Sequence, residues 1–219
     1  MRNRFDRELD SLNNELIEMG ALVENAIENA TQALINRDGE RARAAIQYDM
    51  PVDEKEKDIE RRCLRLLLQQ QPVATDLRLI STALKMITDM ERIGDQAADI
   101  AEIIPFFLSH NTFDCTLVCR MAQQASSMVT QSVDAFVRRD VYLARSVAGQ
   151  DDLVDEDFTA VKQALIAAIA REPGQGEVAL DLLMIAKYFE RIGDHAVNLS
   201  EWVEFSVTGV HKHDGVEYE

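Results

Sequence analysis

Two short segments of this chain carry carboxylates at a spacing suited to holding cations. Glu91-Arg92-Ile93-Gly94-Asp95 recurs as Glu190-Arg191-Ile192-Gly193-Asp194, and an upstream acidic pair precedes each copy, Asp49/Asp53 and Asp151/Asp155. Every one of these pairs has its two acids four residues apart, which on an α-helix puts both on one face. Oxygen ligands gathered from two such faces suit hard or borderline divalent ions. A single pair says little, because like charges at this spacing on an exposed helix cost only about 0.2–0.5 kcal/mol. Four carboxylates within ~6 Å repel by roughly 3 kcal/mol per pair at an effective dielectric near 20. Proton uptake, basic neighbours or a bound cation must relieve that repulsion. Surface ion pairs from Arg92 and Arg191, with the acids solvated, remain the alternative; recurrence in both halves favours cation sites.

The elements that must position these acids are also duplicated. An offset of 102 residues aligns Leu34–Asp38 with Phe136–Asp140, Asp49 with Asp151, and Val52-Asp53-Glu54 with Val154-Asp155-Glu156; beyond the next loop the offset is 99. A slip confined to one loop is what a repeated helical unit shows. Apolar residues follow helical periodicity, as in Leu77, Ile80, Leu84 and Ile87. Breaks fall at Asn36–Gly39, at Gln71-Pro72 and at Arg171–Gly176. The pattern predicts an all-α fold of six long helices, 4–36, 39–70, 73–109, 112–138, 141–170 and 177–206, forming two duplicated three-helix bundles. The expected division is a first repeat over 1–110, a second over 111–206 and a frayed C-terminal tail over 207–219.

Short connections make neighbouring helices antiparallel. Asp53 with Glu91, and Asp49 with Asp95, are then centred on the turn residue Pro72. Asp155 with Glu190, and Asp151 with Asp194, are centred between Glu172 and Pro173. Each hairpin therefore brings four carboxylates to one level, at the border of the apolar arc. One turn further on, Asp99 corresponds to the uncharged Asn198, and Gln96 corresponds to His195, either an extra ligand or an exposed polar group, with the second favoured. Glu24 and Glu28 lie level with the first cluster and are taken as solvated. Gly94 and Gly193 each cost about 1 kcal/mol inside a helix, a cost that close helix approach beside the carboxylates would explain.

The composition narrows the function. A net charge of −16 argues against nucleic acid as a partner and suits cations or basic proteins, with plain solubility as the alternative. No run of about 18 apolar residues occurs, and the charged N-terminus lacks a signal-peptide core, so a cytosolic location with no transmembrane segment is expected. Cys63, Cys115 and Cys119 fall in helical patterns and read as small buried hydrophobes.

The two Glu-Arg-Ile-Gly-Asp segments, with Gln71-Pro72-Val73-Ala74-Thr75-Asp76-Leu77-Arg78 leading into the first, resemble the PhoU family over essentially the whole chain. The resemblance implies two three-helix repeats with multinuclear metal sites at (Glu/Asp)-x-x-x-Asp motifs. The matching candidates are Asp49, Asp53, Glu91, Asp95 and Asp99 in the first repeat. Asp151, Asp155, Glu190, Asp194 and Asn198 are their counterparts in the second, where Asn198 departs from the acidic pattern. It further implies a cytosolic, dimerising negative regulator of phosphate uptake, homeostasis and phosphate-regulon signalling. Its expected partners are the ATPase subunit of the high-affinity phosphate ABC transporter and the sensor histidine kinase. Iron, zinc, manganese and magnesium are all candidate ions. A metal-dependent oxidase or phosphatase is the competing reading, but no Glu-x-x-His pair, nucleophile–base constellation or glycine-rich phosphate loop supports an enzyme. A purely structural helical scaffold is the third.

Overall fold

The computed structural model describes residues 2–70, 72, 74–108 and 113–210. Its helices are α1 (Arg2–Asn36), α2 (Gly39–Ile46), α3 (Asp49–Gln70), α4 (Ala74–Leu108), α5 (Thr116–Arg138), α6 (Val141–Arg171) and α7 (Gly176–Thr208). A single 3₁₀ turn, Pro173–Gln175, joins α6 to α7. The first turn of each repeat is built the same way. Arg37 (φ 54°) and Arg139 (φ 52°) take the left-handed conformation that ends a helix, and the aspartate after each caps the next one. Asp38 accepts the Glu40 and Arg41 N–H groups at 2.9 and 3.2 Å, and Asp140 accepts those of Tyr142 and Leu143 at 2.9 and 3.0 Å.

One expected rod is broken. The helix predicted over 39–70 is two, α2 and α3, separated at Gln47-Tyr48. Pro51 has no N–H to give the Gln47 carbonyl, so it is accommodated in the first turn of a new helix. The counterpart of Pro51 is Leu153, and α6 runs unbroken through it. Residues 113–115 are not helical, so α5 starts later than the predicted 112; there the Asp114 carboxylate accepts the Thr116 N–H at 2.9 Å. At the other end α7 continues past 206 to Thr208, where Gly209 (φ 79°) closes it. The predicted features at Gln71, Val73, Ser109 and Thr112, and most of the 207–219 tail, lie outside the described residues.

The helices pack as a closed ring: α1 lies against α4 and α5, and α7 lies against the same two. On the outside of this ring α2 and α3 cover α1 and α4, while α6 covers α5 and α7. The buried apolar residues form one cluster through both repeats, including Met19 of α1, Ile93 of α4, Met128 of α5 and Phe189 of α7. Among the described residues no helix is long and apolar enough to cross a membrane. Each acidic hairpin thus has an inner helix, α4 or α7, anchored in the ring, and an outer helix, α3 or α6, laid on it.

Candidate metal centre

Asp49 and Asp53 occupy the first two turns of α3, opposite Glu91 and Asp95 in the middle of α4. Gly94 allows the approach: a Cβ there would lie 3.1 Å from Cγ1 of the buried Val52. One oxygen each from Asp49, Asp53 and Asp95 all lie within 4.8 Å of one another. Lys57 Nζ is 3.2 Å from Asp53 and Arg92 Nη1 is 3.0 Å from Asp95, whereas no ion pair or hydrogen bond reaches the Asp49 carboxylate among the described residues. Burial, then the charges of Asp95, Asp53, Asp99 and Glu102, push Asp49 above the usual carboxylate range. Asp49, Asp95, Asp99 and Glu102 line a cleft of about 490 Å³ together with Arg92 and Arg191.

Glu91 sits beside this triad rather than in it. Its side chain is 17% exposed, with Arg92 Nε at 3.4 Å. Its pKa is raised chiefly by burial and then by Asp95, with Arg92 opposing; Glu56 and Asp53 add to the rise. Glu56 was missed from the sequence, although it stands one turn from Asp53 on the same face. Its own pKa is raised by burial and by Asp53.

In the second repeat Asp151 carries the strain. Burial first, then the charges of Asp194, Asp155, Glu190 and Asp152, push its pKa up to about 6. Its Oδ1 is buried and has no hydrogen-bond partner among the described residues. A Cβ on Gly193 would stand 3.0 Å from that oxygen, so any larger residue would press the carboxylate away from α7 by a few tenths of an ångström. Asp194 is also raised, by burial and then Glu190, against Lys187. Lys187 ion-pairs with Glu190 and lies 5.4 Å from the Phe158 ring centroid. Thr88 stands at the corresponding place in the first repeat, so this internal cation belongs to the second cluster alone. Among the described residues, the tight three-acid group occurs in the first repeat only.

Asp155, on α6, acts on Asp151 and Asp194 through its charge, whereas Asp99 and Asn198 face the seam between α4 and α7. Asp99 accepts a hydrogen bond from the Tyr188 hydroxyl. Asn198 donates to Asp89 Oδ1 at 3.1 Å, and His195 Nδ1 is 2.9 Å from the same oxygen. These are mates under the internal repeat: an offset of 99 carries Asp89 to Tyr188 and Asp99 to Asn198. His195 is therefore not an exposed polar group but a half-buried partner of Asp89. Asn198 is likewise directed across the seam. Glu24 is not simply solvated either; burial raises its pKa while Thr130 hydrogen-bonds to it. Cys63 is buried and Cys115 and Cys119 are half-buried, all as free thiols. Burial pushes Cys63 up to about 12 and Cys115 to about 11, leaving both protonated and unreactive.

A family model for the PhoU domain matches residues 16–104 and again 118–203. The fold is similar to the crystal structure of PhoU from Pseudomonas aeruginosa, with a TM-score of 0.91 and 34% identity, over 94% of this chain and 100% of that one. It is also similar to the phosphate transport system regulatory protein PhoU from Streptococcus pneumoniae, with a TM-score of 0.86 and 28% identity, over 94% and 98% of the two chains. A Clostridium acetobutylicum protein described as a phosphate-specific transport system accessory protein PhoU homolog is 34% identical over 210 residues, 95% of this chain and 96% of its own length. With both repeats matched by the domain and the likeness running through nearly the whole length, the chain belongs to the PhoU domain family.

Proposed function

We propose that this protein is an accessory regulator of a phosphate-specific transport system, and that its two acidic clusters hold divalent or multinuclear metal ions. The convergence of Asp49, Asp53 and Asp95 oxygens within 4.8 Å carries the metal reading. The near full-length likeness to proteins named as accessory or regulatory in phosphate transport supports the role. Asp49, Asp53 and Asp95, with Glu91 and Asp99 beside them, would hold the first site; Asp151, Asp155, Glu190 and Asp194 would hold the second. The donor sets fit: they are all oxygen, and the partnerless buried Oδ1 of Asp151 lacks only a positive neighbour. Magnesium, manganese and iron suit such a set better than zinc, which favours nitrogen and sulfur. A bound ion supplies the charge that relieves the clustered carboxylates and ties each outer helix to its inner one.

In this reading the protein acts in the cytosol as a homodimer, with repeats over 1–110 and 111–206 as its two halves. It restrains uptake and signalling through the transporter's ATPase subunit and the sensor kinase. The deciding experiment is thermal melting of chelator-stripped protein with and without Mn²⁺, Mg²⁺, Fe²⁺ or Zn²⁺. An ion at a hundred times its Kd adds about 2.7 kcal/mol, a gain that Asp49→Asn with Asp95→Asn should halve or abolish. No gain with any ion rejects the metal reading. Failure of the chain to capture the transporter's ATPase subunit rejects the partner reading.

A further inference from the structure

The cleft beside the first acidic cluster gathers side chains that cations alone do not call for. Arg92 lines it from α4 and Arg191 from α7, so each repeat contributes one guanidinium. Arg92 is spent on Glu91 and Asp95. Arg191 is exposed and forms no ion pair among the described residues, although Asp99 and Glu102 line the same cleft. One helical turn before it stands Tyr188, whose hydroxyl bonds to Asp99. Helix α7 thus presents both residues to the first cluster across the seam.

A further lining residue is buried. Gln96 is 4% exposed, and its Oε1 has no hydrogen-bond partner among the described residues. A buried acceptor left unpaired is costly and asks for a donor. The matching residue of the second repeat is His195, whose Nδ1 stands on Asp89, so the orphaned amide oxygen belongs to the first site. Bare, the cleft sets four carboxylates against two guanidiniums and repels an anion. One divalent ion balances that sum and a second makes it positive. Arginine is then the side chain suited to an oxyanion, through its paired N–H groups. A ligand there meets guanidinium donors and an unpaired acceptor together. Inorganic phosphate near neutral pH answers both, because it is anionic and keeps a proton to donate; sulfate is anionic and keeps none.

We infer that the first acidic cluster, with its cations in place, binds inorganic phosphate in this cleft, Arg191 and Arg92 donating to its oxygens and Gln96 Oε1 accepting from its P–OH group. The inference rests on the metal reading and adds to it an anion. It also gives Arg191 of the second repeat a part in the site of the first.

The test is isothermal titration of inorganic phosphate and of sulfate into the full chain, either chelator-stripped or loaded with Mn²⁺ and freed of excess ion. Phosphate should bind the loaded protein saturably and the stripped protein not at all. Sulfate should bind the loaded protein about a hundred-fold more weakly, since it leaves the acceptor unpaired. Arg191→Ala should weaken phosphate about ten-fold or more, while the melting gain with Mn²⁺ stays. Gln96→Leu, close in volume, should weaken phosphate about ten-fold and leave sulfate unchanged. Circular dichroism checks that both variants fold; should Gln96→Leu not, the sulfate comparison and Arg191→Ala still decide. No phosphate binding by protein that Mn²⁺ stabilises overturns the inference and leaves the metal reading standing, whereas no melting gain with any ion removes both. Equal binding of phosphate and sulfate, or binding indifferent to Arg191→Ala, overturns the inference as well. So does loss of the Mn²⁺ gain in Arg191→Ala, which would make that arginine part of the fold. Tighter binding of phenyl phosphate than of inorganic phosphate would assign the cleft to a phosphate ester instead.

Discussion

Asp151 concentrates the cost of gathering acids between two helices. Its pKa, pushed up to about 6 from 3.8, means the folded chain binds its proton more tightly than the unfolded chain does. A raised carboxylate makes stability fall as pH rises from about 4 to about 6, and its contribution is gone above that window. Asp49, Glu91 and Asp194 shift in the same direction. Metal-free protein should therefore melt higher near pH 5 than near pH 7.5, with Asp151→Asn reducing the difference and a saturating divalent cation removing it. A melting temperature that climbs over this range in metal-free protein, or an unchanged slope in Asp151→Asn, would contradict the account. The paired acids and both glycines were legible in the sequence because their spacing is a property of one helix. Lys187 on Glu190 and the reach of Glu56 toward Asp53 were not, since both depend on rotamers chosen by neighbours.

Among the elements, the contrast between the broken α2–α3 and the continuous α6 follows from one residue. Leu153→Pro would remove an N–H from a turn well inside α6 and bring the ring against the preceding carbonyl, at a cost of about 3 kcal/mol or more. Pro51→Ala, at a helix start already adapted to proline, should change stability by less than about 1 kcal/mol. Urea unfolding monitored by circular dichroism measures both, and equal losses would mean that Pro51 is not what interrupts the rod. The break lay in plain view in the sequence. Periodic apolar residues continue across Gln47-Tyr48, however, and the periodicity masked it.

For the molecule as a whole, the repeats share one core rather than folding beside each other. Trp202 of α7 reports on their junction, because Lys85 of α4 lies over its ring, 5.8 Å from the centroid. Tryptophan fluorescence should therefore track repeat–repeat separation, while far-ultraviolet circular dichroism tracks helix content. With a continuous core the two denaturation curves should coincide; fluorescence changing well before the dichroism would show that the halves part first. The ring order was not legible beforehand, since each helix has an apolar arc broad enough for more than one neighbour.

What the amino-acid sequence determines by itself is local or short-range: helical periodicity, the break at Asn36–Gly39, the duplication, and the level at which facing acids meet across a tight turn. Those follow from the helical repeat and from counting away from a turn. Only the tertiary structure decided that α4 runs against α7, and that His195 and Asn198 turn to Asp89 while Tyr188 turns to Asp99. Such choices depend on how each helix is rotated about its axis. That rotation is set by side chains a hundred residues away competing for the same buried space.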